Sequence, residues 1–336
     1  MTNMNRNCYK RMGEELNSIY RILDDVQNTT VESVLVTIIH VDGSAYLREG
    51  STMLIKKDGT CIGVISPGCM EEDLVLHSQG VFVTKRSTTL VYDMESDWEL
   101  GIGTGCNGTI YVTLEFIDDT LRNLLASITE YIQRNQSVIL QKKLSFEWDI
   151  FESDIQVIED FSENKIYDLQ GLQKMDSYWI YTQMIQPKPR LIIFGAGIDV
   201  KPVAMLAATI GLSVTVCDWR PALCNKENIP FADHYVIGFP NEIMEQITFS
   251  EKDCVIIMTH HFQRDQEIVA HIIKQNLLYV GIMGSKKRTK AVFHHDIPDY
   301  IHYPIGLSIG AKGPEEIAIS IIGEIIKELR LKETYL

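Results

Sequence analysis

The chain is short of paired thiols, of long apolar runs and of positive charge, and each shortage removes a class of protein. Its seven cysteines, Cys8, Cys61, Cys69, Cys106, Cys217, Cys224 and Cys254, are odd in number and include no Cys-x-x-Cys. That pattern fits reduced cytoplasmic thiols rather than a disulfide framework or a structural zinc site. The most apolar helical stretch, 317–326, is interrupted by Glu324 and has about half the length needed to cross a bilayer. Arg6, Lys10 and Arg11 are not followed by an uninterrupted apolar core, so no signal peptide is read and the expected compartment is the cytoplasm. Lys and Arg number 31 against 45 Asp and Glu, a net charge of −14, which argues against nucleic acid and anionic membrane surfaces as partners. There is no Ser-His-Asp pattern, no His-Glu-x-x-His and no P-loop lysine motif, so a self-contained hydrolase or kinase is not expected.

What is present is organised around Leu191–Asp218. Leu191–Phe194 is too short and too β-branched for a helix and reads as a buried parallel strand. Gly195 and Gly197 allow a sharp turn, and Val203, Met205, Leu206 and Ile210 form the apolar stripe of a helix. Ser213–Cys217 is the next strand. Asp218 follows about twenty residues after the glycines, where a dinucleotide fold places its ribose-binding acid. The fingerprint is incomplete, because Val200 replaces the third glycine and Asp199 puts a carboxylate where a pyrophosphate would sit. Asp199 also has a plainer reading as a helix N-cap, with Pro202 in the first turn.

The expected architecture is α/β: a C-terminal Rossmann-like parallel sheet with helices on both faces, preceded by an α+β domain. The domains are read as 1–186 and 190–336, with Gln186-Pro187-Lys188-Pro189 as an extended linker. In the first, the spacing predicts a helix over 14–26 and strands over 31–41, 90–94 and 110–117. A hairpin is expected around Asp58-Gly59, a type I′ signal. A helix from Ser66-Pro67-Gly68-Cys69 to about His77 carries Glu71, Glu72 and Asp73 at its positive end, and another helix covers 121–132. Over 137–185 short strand-like runs alternate with turns, the least readable part of the chain, which either completes the first domain or bridges to the second. In the second domain, strands are expected at 235–238, 253–259 and 278–283, helices at 241–247 and 266–273, and a last helix from Pro314-Glu315-Glu316.

Ligands of open α/β sheets bind beyond the carboxyl ends of the strands, and three such ends carry polar groups: Gly195–Gly197, Thr259–His261 and Gly284–Arg288. If Gly284 and Ser285 open a helix, Lys286, Lys287 and Arg288 add charge to an already positive terminus. A bound phosphate would relieve this, and a solvated basic turn is the alternative. His260 and His261 diverge on an extended chain, so a single histidine is expected to contact a ligand, with His260 favoured over His261, against the alternative of a histidine hydrogen-bonded at a strand end. Glycines around Cys106 leave a thiol accessible, against the alternative of a small buried side chain. Cys69, at a helix start, follows the same logic with weaker placement, while Cys217 and Cys254 read as core. Arg220, beside Asp218, completes the residues expected at the crevice.

The stretches DGSAYLREGSTMLI, GVISPGCMEEDLV, GIGTGCNGTIYVTLE, FGAGIDVKPVAMLA, VTVCDWRP, MTHHFQRD, YVGIMGSKKR and PIGLSIGAKGPEEIAISIIGEII occur in that order. In this the chain resembles the XdhC/CoxI family, accessory proteins for xanthine dehydrogenase and related molybdenum hydroxylases of purine catabolism. The resemblance implies a maturation factor rather than a catalyst. Such a factor binds molybdenum cofactor, a phosphorylated pterin with or without a nucleotide extension, protects it during sulfuration and delivers it to the apo-hydroxylase. It further implies a homodimer served by a cysteine-desulfurase-type sulfur donor, and it places Cys106 on the glycine-flanked cysteine suited to contact molybdenum, a thiophilic metal. The family's Cys-Gly-Gly is Cys-Asn-Gly here, and Gly105 stands where some members have a preceding cysteine. Two other readings remain beside it: an NAD(P)-binding oxidoreductase that uses Asp218, and a cofactor-free scaffold between hydroxylase and sulfur donor.

Overall fold

The computed structural model describes residues 18–66, 68, 70–93, 108–158, 170–293 and 297–335. The chain divides into two compact units, Met1–Pro187 and Lys188–Leu336.

In the first unit, helix α1 (Ser18–Asn28) leads into strand β1 (Ser33–Gly43). Next come β2 (Thr52–Lys56), β3 (Cys61–Ile62), helix α2 (Glu71–Thr84), β4 (Thr88–Asp93), β5 (Gly108–Phe116) and helix α3 (Asp119–Gln133). These strands form an antiparallel sheet in the order β3-β2-β1-β5-β4. Alternation along β1 divides its side chains between two cores. Val34, Val36 and Ile38 pack with Leu74, Val81 and Phe82 of α2. Leu35 packs with α1 and α3 through Ile22, Leu23, Leu125 and Ile128.

The hairpin at Asp58-Gly59 is present, but its turn differs from the expected type I′. Gly59 has φ +83° while Asp58 is not among the residues with positive φ, and the Lys56 amide donates to the Thr60 carbonyl. One left-handed residue in a three-residue connection is the arrangement of a turn followed by a bulge. Helix α2 runs beyond His77 to Thr84, through Gly80, because Val81 and Phe82 continue its buried face.

The stretch over 137–185, read as short strand-like runs alternating with turns, is a second antiparallel sheet. Strands β6 (Val138–Leu144), β7 (Ile150–Val157), β8 (Gly171–Lys174) and β9 (Trp179–Ile185) take the order β7-β6-β9-β8. Lys142 of β6 is fully buried and its ammonium is paired with the carboxylate of Glu115 on β5, so the two sheets share one internal ion pair.

The second unit is wound from β10 (Arg190–Phe194), α4 (Val200–Thr209), β11 (Ser213–Asp218), β12 (His234–Ile237), α5 (Pro240–Gln246), β13 (Cys254–Ile257), α6 (Phe262–Ile272), β14 (Tyr279–Ile282), α7 (Lys286–Val292), β15 (Ile301–His302) and α8 (Gly313–Tyr335). All six strands are parallel, in the order β12-β11-β10-β13-β14-β15. Counted from β10 this is 3-2-1-4-5-6, the doubly wound order, whose direction reverses between β10 and β13. One face carries α4 and α8 through Val203, Ala207, Ala318, Ile321 and Ile325. The other carries α5, α6 and α7 through Ile243, Ile268, Ile272 and Val292. The fold is therefore mixed α/β, with helices on both faces of the parallel sheet. Strand β15 has no counterpart among the expected elements, since two residues are too few to show a period.

Candidate functional site

The sheet order sets the ends of β10, β13 and β14 side by side, so the three polar turns that follow them line one edge. At the end of β10, Gly195 has φ +120°, and a Cβ there would lie 2.4 Å from the Met258 carbonyl oxygen. Only glycine allows the turn to press against the end of β13. Gly197 is bare for a different reason: its Cβ position is 2.6 Å from Asp199 Oδ1 and 3.9 Å from His260 Cδ2.

Asp199 occupies the N-cap position of α4, yet its side chain makes no capping hydrogen bond. Its Oδ2 lies 2.7 Å from His260 Nε2 across the switch point. The side chain of His260 is 59% exposed and that of Asp199 16%. His260 has φ +57°, a left-handed conformation uncommon outside glycine and enriched where backbone strain serves a site. The neighbouring His261 is committed elsewhere and caps α6, its ring nitrogen accepting from the Arg264 amide at 3.4 Å.

Asp218 ends β11 in the place expected for a ribose-binding acid, but its carboxylate is committed to its own chain. Oδ2 accepts from the Ala196 amide at 2.8 Å, and Oδ1 from the Arg220 amide at 2.8 Å. The Arg220 guanidinium adds two more bonds, at 2.9 and 2.7 Å. Hydrogen bonding to this buried carboxylate raises the pKa of Arg220 further above its ordinary value. The Arg220 guanidinium also stacks on Trp219, 4.5 Å from the ring centroid, and Trp219 meets His261 edge to face at 5.8 Å. Sequence patterning gives Trp219 no role at the site and weighs His261 only as the less favoured of two adjacent histidines; the signal for Trp219 is its position directly after a strand end.

At the end of β14, Gly284 has φ +144° and Ser285 caps α7 by accepting from the Arg288 amide at 3.2 Å. A helix therefore does open at Gly284-Ser285. Lys286 and Lys287 are exposed and carry no ion pair among the described residues. Arg288 turns inward. Its Nη2 sits 2.5 Å from Asp265 Oδ2, at an angle that leaves that nitrogen without a hydrogen bond. Its Nη1 donates to the Met283 carbonyl at 3.3 Å. Asp265 is 1% exposed and also accepts from the Thr259 hydroxyl, so Arg288 ties the ends of β13 and β14 together instead of facing solvent.

Burial pushes the Cys217 thiol well above its usual range and the Cys224 thiol up to about 11; with Cys254 they are core. Cys69 and Cys106, the expected metal contacts, lie outside the described residues, as does His294-His295. Glu71 accepts from the Ile65 and Ser66 amides at 3.1 and 2.7 Å and from the Ser66 hydroxyl at 2.7 Å. Its role is to hold the turn before α2, beyond complementing the helix dipole.

Comparison with known proteins finds family matches within each unit. Residues 191–325 match the XdhC Rossmann domain and residues 27–93 the XdhC and CoxI family. A probable xanthine dehydrogenase subunit from Bacillus subtilis is 37% identical over 322 residues, 93% of this chain and 98% of that one. The molybdenum cofactor insertion chaperone PaoD from Escherichia coli is 21% identical over 301 residues, 87% of this chain and 82% of PaoD. A crystal structure of a xanthine dehydrogenase from Bacillus halodurans superposes with a TM-score of 0.84 at 39% identity, covering 93% of this chain and 96% of that one. The matches run through both units and through the turns that line the crevice, and the chain belongs to the XdhC and CoxI family.

Proposed function

We propose that this chain is a maturation factor that binds molybdenum cofactor as cargo and hands it to an apo molybdenum hydroxylase of the xanthine dehydrogenase type. Family membership and the similarity to an insertion chaperone support a maturation role. The observation that carries the cofactor reading is the state of Asp218. With its four hydrogen bonds all made within the chain, the acid has no acceptor left for a ribose hydroxyl, which weighs against a conventional NAD(P) mode. The crevice at the switch point remains, and it remains charged. Lys286 and Lys287 are not used by their own helix, whose end Ser285 already caps, so two exposed cations suit the phosphate of a pterin cofactor, with or without a nucleotide extension.

In this reading the chain holds the phosphate at Lys286 and Lys287, and Cys106 supplies a thiolate to the metal. The cofactor, not this chain, brings the redox chemistry. Sulfuration by a cysteine-desulfurase-type donor while the cofactor is held, and a homodimeric state, are further parts of the proposal. The test is anaerobic mass spectrometry of the protein from molybdenum-replete cells, with Cys106→Ala beside it. Wild type should carry the cofactor, and the variant should retain less of the sulfurated form. Heat of NADH binding that Asp218→Ala abolishes would favour the oxidoreductase instead, and partner capture with no cofactor in any preparation would favour the scaffold.

A further inference from the structure

The carboxylate over the glycine turn contradicts the use to which dinucleotide folds put that turn. Asp199 Oδ1 lies on the bare face of Gly197, at the head of α4, where backbone amides and the helix dipole would otherwise receive a pyrophosphate. A phosphate cannot share that place with an anionic side chain without strong repulsion. The carboxylate is not there for the helix, since it caps nothing. Its hydrogen bonding among the described residues is one contact, from Oδ2 to His260. A largely buried carboxylate with one exposed partner is an acceptor waiting for planar N–H donors, which it binds best as a parallel pair.

Resting on the cofactor-carrier reading, we propose that Asp199 determines specificity by accepting the two adjacent N–H groups of a 2-amino-4-oxopyrimidine edge. This edge belongs to pterins, and guanine carries the same one. His260 is the placeholder. Its imidazole offers one N–H to Asp199, and with 59% of the side chain exposed the pair is weak enough to exchange. The left-handed backbone of His260 holds the ring over Gly197 rather than out along the strand.

The strand order then fixes the ligand's direction. Lys286 and Lys287 follow β14, two strands across from β10, about 10 Å away at the usual strand spacing. The N–H edge lies at the glycine turn and the anionic end lies at the lysines. This reverses the dinucleotide arrangement, in which the phosphates take the glycine turn.

The experiment uses the full chain and three probes: 6-hydroxymethylpterin followed by its fluorescence, GMP against AMP by calorimetry, and inorganic pyrophosphate. Wild type should bind the pterin and should prefer GMP to AMP at least tenfold. Asp199→Asn, isosteric and uncharged, should lose at least tenfold for pterin and GMP and gain affinity for pyrophosphate, with an unchanged melting curve. That opposed pair of changes is not what a structural role produces. Pterin binding stronger than GMP binding assigns the edge to a pterin, and the reverse assigns it to a guanine nucleotide. Equal binding of AMP and GMP, or full pterin affinity in Asp199→Asn, overturns the proposal. If wild type and Asp199→Asn carry equal cofactor after anaerobic purification, the contact fails while the carrier reading stands. If pterin binds through Asp199 but no preparation ever carries cofactor, the contact stands while the carrier reading fails.

Discussion

The Lys142–Glu115 pair in the seam between the two antiparallel sheets and the Asp199–His260 pair in the crevice of the parallel sheet are opposites. Lys142 and Glu115 have side chains 1% and 8% exposed, on strands that pair along their length with neighbours. Asp199 and His260 meet across a turn, with the histidine mostly in water and its backbone in an uncommon conformation. In the seam neither charge can find another partner without unpacking the unit. In the crevice either group can change partner at small cost. A buried, closed pair is architecture, and an open pair beside a glycine turn is available for chemistry.

The largest effect should come from the seam. Lys142→Met leaves Glu115 charged and unpaired inside the unit, which should cost about 3–5 kcal/mol in urea unfolding. The double variant Lys142→Met with Glu115→Leu should recover most of it, because an apolar pair of similar volume avoids the desolvation that the ions suffer. A single variant as stable as wild type would dissolve the contrast between seam and crevice. Asp218→Ala comes next, at about 1–3 kcal/mol. It strands the Ala196 amide, but Arg220, with its side chain 38% exposed, can be rehydrated, so the loss stays below that of the seam. Asp218 is in this sense closer to the seam than to its neighbour Asp199.

The parallel sheet was legible because fully buried strands leave continuous apolar runs, such as Leu191–Phe194 and Val255–Ile257, closed by glycine or a polar turn. The second antiparallel sheet was legible only as short strand-like runs between turns, without its pairing. Along β6 the burial alternates with Lys142 among the inward positions, and a lysine inside a strand looks like a solvent-facing residue until its partner is known. That partner, Glu115, is 27 positions away, and no local pattern encodes it. The same limit applies to the site. The carboxylate of Asp199 was visible beside the helix start, and His260 was separable from His261 by strand geometry, but their meeting over Gly197 depends on the crossover that sets β13 beside β10. The commitment of Asp218 to Ala196 and Arg220 was equally hidden, since the spacing that marks a ribose acid is the same whether or not its acceptors are used.

A third contact falls between the two extremes. Glu324 of α8 accepts from the Tyr279 hydroxyl at 2.5 Å and the Gly306 amide at 2.8 Å, and lies 3.3 Å from His302. Burial alone would raise its pKa, yet the hydrogen bonds from His302, Tyr279 and Gly306 outweigh it and hold the carboxyl below the ordinary glutamate value of 4.5. A depressed folded pKa gives stability that is present above the unfolded value and lost as pH falls through the folded one. Glu324→Gln should therefore flatten the acid limb of the stability profile below about pH 4.5, at a cost near neutrality of about 0.5–1.5 kcal/mol from the weakened bonds. An acid limb unchanged in the variant would assign that pH dependence to other carboxylates.

The smallest stability effect should belong to His260, and its size is what separates the crevice from the seam. His260→Ala removes an exposed pairing, and such pairs contribute about 0–1 kcal/mol. Alanine does not tolerate the left-handed backbone better than histidine does, so the change offers no relief of strain. His260→Gly does offer it. If the strained backbone is a cost held in place by the surrounding turn, the glycine variant should be more stable than the alanine variant by about 1 kcal/mol, even though both have lost the ring. A glycine variant less stable than the alanine variant would mean that the His260 conformation is set by packing and stores nothing. The crevice would then resemble the seam after all.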